Sequence, residues 1–181
     1  SCWGDGSSLG LGNGSLADVD APGTPVVLPA PSTASAIAVA ADTSCALLTN
    51  GRISCWGIDR QGTVGNATEN GDQSVPSAAS PVGGAAVQVS ANGEVSCALR
   101  ANDKVYCWGD DSSNQIASGV LFGEFDVPRV DPIVFPAPNA VAQMVVGERN
   151  ACARLTDGAV TCWGSESFGE LGNGGAGSQA A

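Results

Sequence analysis

The tripeptide Cys-Trp-Gly occurs four times, at Cys2-Trp3-Gly4, Cys55-Trp56-Gly57, Cys107-Trp108-Gly109 and Cys162-Trp163-Gly164. The cysteines step by 53, 52 and 55 residues, and all four Trp of the chain sit in this motif. A period of this length means that one supersecondary unit is copied along the chain. Such units stack because none can bury its apolar face alone.

Three of the motifs have a second cysteine ten residues upstream in a Cys-Ala step: Cys45-Ala46, Cys97-Ala98 and Cys152-Ala153. Ten-residue spacing suits either an oxidised helical hairpin or a β-hairpin. The centre of each unit decides for the hairpin, because Asn50-Gly51 and Asp157-Gly158 are turn formers and poor helix residues, with Asn102-Asp103 a weaker version. A two-residue loop at Asn50-Gly51 would set Cys45 against Trp56. A three-residue loop, Thr49-Asn50-Gly51, sets Cys45 against Cys55. Three-residue hairpin loops favour a left-handed third residue, which Gly51 and Gly158 supply and Asp103 tolerates. The expected disulfides are therefore Cys45–Cys55, Cys97–Cys107 and Cys152–Cys162, across face-to-face residues within disulfide reach. Each closes a short loop and stabilises by roughly 2.5–3 kcal/mol in the chain-entropy model. Bridges at this density imply an oxidising compartment, outside the cell or at its surface.

Around each hairpin the unit continues in a fixed order. A short apolar segment precedes it, at 36–40, 85–89 and 142–146, and a Gly-rich stretch follows each Cys-Trp-Gly. Pro-rich connectors run through 19–29, 74–82 and 127–136. With this unit in view, the chain resembles the repeats of the regulator of chromosome condensation family, in the cysteine-bearing form common in secreted proteins. The resemblance covers essentially the whole chain. It implies an all-β propeller with one four-stranded antiparallel blade per repeat and the core between blades. Family repeats often carry His shortly before the Cys-Ala step; Thr43, Val95 and Asn150 stand there instead. The single repeat domain 1–181 divides into a partial unit 1–14 and units 15–66, 67–119 and 120–181, the last with a tail. Three complete hairpins and one orphan half make about half of the family's usual seven-bladed ring. The expectation is a part of a larger propeller, or one completed by a neighbouring subunit as a homo-oligomer or filament.

Cys2 is the odd cysteine, expected to be unpaired, bonded between molecules, or partnered by a segment upstream of Ser1. Seven Lys and Arg against eighteen Asp and Glu leave a net charge of −11. Such a surface repels phosphate and anionic lipid and leaves basic proteins as partners, so nucleic acid is not expected. No apolar run approaches the length of a membrane span.

Chemistry has few places to reside. The chain has no His, which removes Ser-His-Asp and Cys-His nucleophiles and His-ligated metals. Asp5, Asp110, Asp111 and Asn114 offer oxygens for calcium, but no loop has the alternating ladder that gathers roughly six to eight ligands. They read as turn residues on a solvated rim, and neither a metal nor a cofactor is expected. Glu166 and Glu170 are two acids of one exposed loop, expected to be solvated and not a catalytic pair. The four Trp are expected to pack the core beside each disulfide. Asn13 and Asn66 begin Asn-x-Ser/Thr glycosylation patterns ten residues after their Trp, at equivalent loop positions.

These observations point to a non-catalytic extracellular scaffold for protein interaction or structural assembly. The contact loops would be 58–81 and 110–136, with Phe122, Phe125 and Phe135 as interface candidates. A secreted enzyme inhibitor acting through the same rim loops is the alternative. Guanine-nucleotide exchange with chromatin docking, the founding activity of the family, is disfavoured by the acidic charge and the disulfides.

Overall fold

A computed structural model describes residues 1–66, 71–78, 84–117, 132, 133, 135 and 140–174. It is built from antiparallel strands and one 3-10 turn, Arg60–Gly62. The strands are β1 (Ala34–Val39), β2 (Thr43–Leu48), β3 (Ile53–Gly57), β4 (Gln73–Ala78), β5 (Ala86–Asn92), β6 (Val95–Arg100), β7 (Val105–Gly109), β8 (Val141–Val146), β9 (Asn150–Leu155) and β10 (Val160–Gly164). They form three meander sheets, β1-β2-β3-β4, β5-β6-β7 and β8-β9-β10. Only the first has its fourth strand among the described residues. In the second sheet, Ile133 bridges Val105 where a fourth strand would run. The first sheet extends past the 66/67 boundary of the sequence period, because its fourth strand comes from the connector of the next unit.

The hairpin register follows from the turn. Leu48 N–H donates to Arg52 O, enclosing Thr49-Asn50-Gly51 as the loop. Gly51, Asp103 and Gly158 hold φ of 76°, 64° and 90°. Asn50 and Asp157 each accept the backbone N–H two residues on, at 3.0 and 2.9 Å, which favours the turn over a helix. Cys45 then faces Cys55, Cys97 faces Cys107 and Cys152 faces Cys162. All three pairs are bridged, each with Cα atoms 4.1 Å apart.

The core lies between sheets. One cluster joins Cys45, Cys55, Leu47, Ile53 and Val64 to Val89, Ala98 and Trp108. A second joins Cys97, Cys107, Val105 and Ile116 to Met144, Ala153 and Trp163. A third sets Trp56, Ala46 and Leu48 against Cys2 of the first partial unit and Val26 and Leu28 of the connector that follows it. Strand β5 packs on β1 and β2, and β8 packs on β5 and β6. The Gln88 side chain ties β5 to β8 by bonding both the N–H and the C=O of Met144.

Candidate functional site

Alternation along a strand sends neighbouring side chains to opposite faces. In the two middle Cys-Trp-Gly motifs, Cys faces the following repeat and Trp the preceding one. Trp108 shares a cluster with the Cys45–Cys55 bridge, and Trp163 shares one with Cys97–Cys107. Trp108 and Trp163 thus pack the core beside a disulfide as expected, and the disulfide is that of the previous repeat; the expectation fails for Trp3, which is 57% exposed. The indoles also reach back to the loop of the previous repeat. Trp56 Nε1 donates to Gly10 O at 2.8 Å, Trp108 Nε1 to Thr63 O at 2.9 Å, and Trp163 Nε1 to Gln115 O at 2.8 Å. Each acceptor lies seven residues beyond the preceding Trp. Two residues further on stand Gly12 and Gly65, at φ +65° and +71°. A Cβ there would come within 2.5 and 2.7 Å of the indole nitrogen, so glycine is what lets the ring seat. Ala117 holds the third seat at φ 52°. Trp3 is 57% exposed, unlike the other three.

The loop after each motif is tied from within. Asp59 Oδ1 accepts the N–H of Val64 at 2.9 Å, and Asp111 Oδ1 accepts that of Ile116 at 3.0 Å. Asp111 and Asn114 are buried, which corrects their assignment to a solvated rim. They close the loop on itself, and what closes it is a carboxylate bonded to the backbone N–H five residues on. Glu166 occupies the same position in the third loop. It too is buried, and among the described residues both its carboxylate oxygens lack a hydrogen-bond partner. The expectation that Glu166 is solvated is therefore wrong; its loop folds inward as its equivalents do. Glu170 is exposed. Asp5 is exposed, and hydrogen bonds from Ser7, side chain and then backbone, hold its carboxyl below the usual Asp value.

Asn13 is exposed, its Oδ1 accepting Ser15 N–H at 2.9 Å. Asn66 is half-buried, its Nδ2 donating to Gly71 O at 2.8 Å. Phe135 is partly buried and meets Trp163 edge-to-face at 5.7 Å, so it packs between sheets and does not form an exposed contact. Phe122 and Phe125 lie outside the described residues. Cys2 carries a free thiol and is half-buried against the Trp56 cluster.

One end of the molecule gathers the turns between first and second strands of all three sheets. Ala41, Asp42, Gly93, Glu94, Asp110, Glu148 and Arg149 line a cleft there of about 360 Å³. Four acids and one base give it negative potential. No group of three or more His, Cys, Asp and Glu able to hold a metal occurs among the described residues. No described helix is long and apolar enough to cross a membrane.

Sequence reasoning missed the reach of each Trp into the previous loop. The available signal was the constant offset of a small residue nine positions after every Trp: Gly12, Gly65, Ala117 and Gly172.

Residues 86–115 and 141–170 match the family model described as the Regulator of chromosome condensation (RCC1) repeat. A search of curated proteins found no significant match. Among solved structures, human WBSCR16 is 20% identical with TM-score 0.76, over 91% of this chain and 43% of that one. Prp20p from Saccharomyces cerevisiae, described with its binding to Gsp1p and histones, is 25% identical with TM-score 0.76, over 95% and 42%. Yeast RCC1 (Prp20) bound to Kap60 is 24% identical with TM-score 0.68, over 97% and 42%. The chain thus spans less than half the length of the structures it matches.

Proposed function

Because the chain is built of regulator-of-chromosome-condensation-type repeats folded as propeller blades, we propose that it is a non-catalytic extracellular scaffold whose acidic rim holds a protein with a basic contact face. The observation that carries this reading is the cleft of Asp42, Glu94, Asp110 and Glu148, assembled from three successive sheets. Rigid sheets present these turns in fixed geometry, which lowers the entropy lost on binding. Their charge steers a basic partner and sets the sign of its contacts. Prp20p, of the same fold, is described with binding to Gsp1p and histones, which supports protein recognition by such a propeller. The three bridges support an oxidising location.

The test uses a lysine-rich and a glutamate-rich peptide of equal length as probes. The lysine-rich peptide should bind, more weakly as salt rises, and Glu94→Lys with Glu148→Lys should weaken it at least tenfold. Equal binding of both peptides, or indifference to the double variant, overturns the rim as the contact face. Thiol counting after denaturation, on protein isolated without reductant, should find one thiol or none. A count of seven overturns the extracellular assignment.

A further inference from the structure

The hairpin turn of β6 and β7, in the middle sheet, carries a pair of cations that the other two hairpins lack. Arg100 N–H donates to Lys104 O at 2.9 Å, so the two residues face each other across the loop 101–103. The equivalent pairs are Leu48 with Arg52 and Leu155 with Ala159. Leu48 and Leu155 are buried, at 4% and 6% exposure, whereas Arg100 is half-buried. Tyr106 stands where the other hairpins have Ser54 and Thr161. It supplies the surface on which the guanidinium lies, with Arg100 Cζ 3.8 Å from the ring centroid. Gly84 borders the guanidinium as well, since a Cβ there would come within 3.7 Å of Nη1. Nε is buried and has no hydrogen-bond partner among the described residues, which leaves the Nη1 and Nη2 edge as the end open to a ligand. Among the described residues no acid forms an ion pair with Arg100 or Lys104, Asp103 of the same loop included; the pair present is Arg60 with Asp42, at 3.9 Å.

Like charges directly opposite each other on a hairpin are destabilising, and an anion between them removes the repulsion. We propose that Arg100 and Lys104 hold the carboxylate of a single Asp or Glu side chain on a protein partner. The planar guanidinium, held in orientation by Tyr106, matches the two oxygens of a carboxylate, and Lys104 adds a second positive charge from the facing strand. The net charge of −11 selects the class of anion. A carboxylate brings one negative charge and a phosphate group about 1.5–2, so the field of the whole chain opposes phosphate more. A run of acids is opposed for the same reason, which leaves one carboxylate in uncharged surroundings as the ligand. Glu94 precedes β6 and Arg100 ends it, so the site lies a strand's length from the acidic rim. It is a second contact of opposite sign, beyond the rim reading, and the two stand or fall separately.

The experiment titrates the isotope-labelled chain with an end-blocked peptide whose one charged residue is Glu, alongside its Gln and phosphoserine counterparts. The Glu peptide should shift the Arg100 Nε–H and Tyr106 ring signals saturably at millimolar concentration, and the Gln peptide should bind about tenfold more weakly or not at all. Arg100→Leu, which installs the residue of the other two hairpins, should abolish binding while leaving the unfolding midpoint in place. Arg100→Lys, which keeps the charge and loses the fork, should weaken it about tenfold, and Lys104→Ala should weaken it by a smaller factor. Glu94→Lys with Glu148→Lys, which disables the acidic rim, should not weaken it. Equal binding of the Glu and Gln peptides overturns the proposal, as does Glu-peptide binding that persists in Arg100→Leu. Tighter binding of the phosphoserine peptide overturns the carboxylate as the ligand. If Arg100→Leu fails to fold, Arg100→Lys carries the test, and undiminished affinity there overturns the proposal.

Discussion

Trp108 donates its indole N–H to Thr63 O at 2.9 Å, and the Ser96 hydroxyl donates to the same carbonyl at 3.3 Å. The arrangement recurs one repeat earlier, where Gly10 O accepts from Trp56 and from Ser44. In the third repeat Ala151 replaces the serine, and Trp163 is the donor to Gln115 O.

Removing the indole N–H should therefore cost different amounts at equivalent sites. Trp108→Phe and Trp56→Phe leave the carbonyl with a serine donor and should cost about 0.5–1.5 kcal/mol. Trp163→Phe strips Gln115 O of its indole donor and should cost about 1–3 kcal/mol, the penalty for a buried unsatisfied acceptor. Trp3→Phe should stay within about 0.5 kcal/mol, as an exposed substitution does. Denaturant unfolding of the four variants checks the order, and equal costs at Trp108 and Trp163 would contradict it.

Much of this architecture was legible in the sequence because covalent and turn chemistry are local. The Asn-Gly and Asp-Gly turns fixed the hairpin register, and the register placed each Cys opposite its partner. The contacts between repeats were less legible because they depend on which face of β3, β7 and β10 meets which neighbour. The seven-residue offset from each Trp to the next Trp's carbonyl acceptor is a three-dimensional relation, and the Gly-rich loops mark it only indirectly, through the small residue two positions further on. Likewise, Asp111 and Glu166 looked like solvated loop acids. Their burial follows from backbone N–H groups that only the folded loop brings round.

Glu166 provides a second prediction. Asp59 and Asp111 each use a carboxylate oxygen to accept a backbone N–H five residues on. The glutamate is one methylene longer, and its buried oxygens have no partner among the described residues. Shortening it by Glu166→Asp should restore the bond made in the other loops and raise stability by about 1–2 kcal/mol. A drop in the denaturation midpoint would show that the longer side chain is already accommodated.

Ala117 is a third case. It occupies a Trp seat at φ 52°, where Gly12 and Gly65 stand in the other loops. A left-handed conformation costs an L-residue about 1–2 kcal/mol, and glycine's extra unfolded-state entropy returns part of that. Ala117→Gly should raise stability by about 0.5–1 kcal/mol, measured by the same unfolding transition. No gain would mean that the methyl's packing against the core cluster outweighs its strain.

The three disulfides should open in an order set by access. An attacking thiolate must reach a sulfur, and Cys45, Cys55, Cys97 and Cys107 are all at most 2% exposed between sheets. Cys152 and Cys162 are half-buried on the open face of the last sheet. Under mild reductant below the unfolding midpoint, alkylation followed by peptide mapping should find Cys152 and Cys162 labelled first, with the other four protected until the chain unfolds. Simultaneous labelling of all six cysteines would mean that opening is global and that the exposed face has no separate fate.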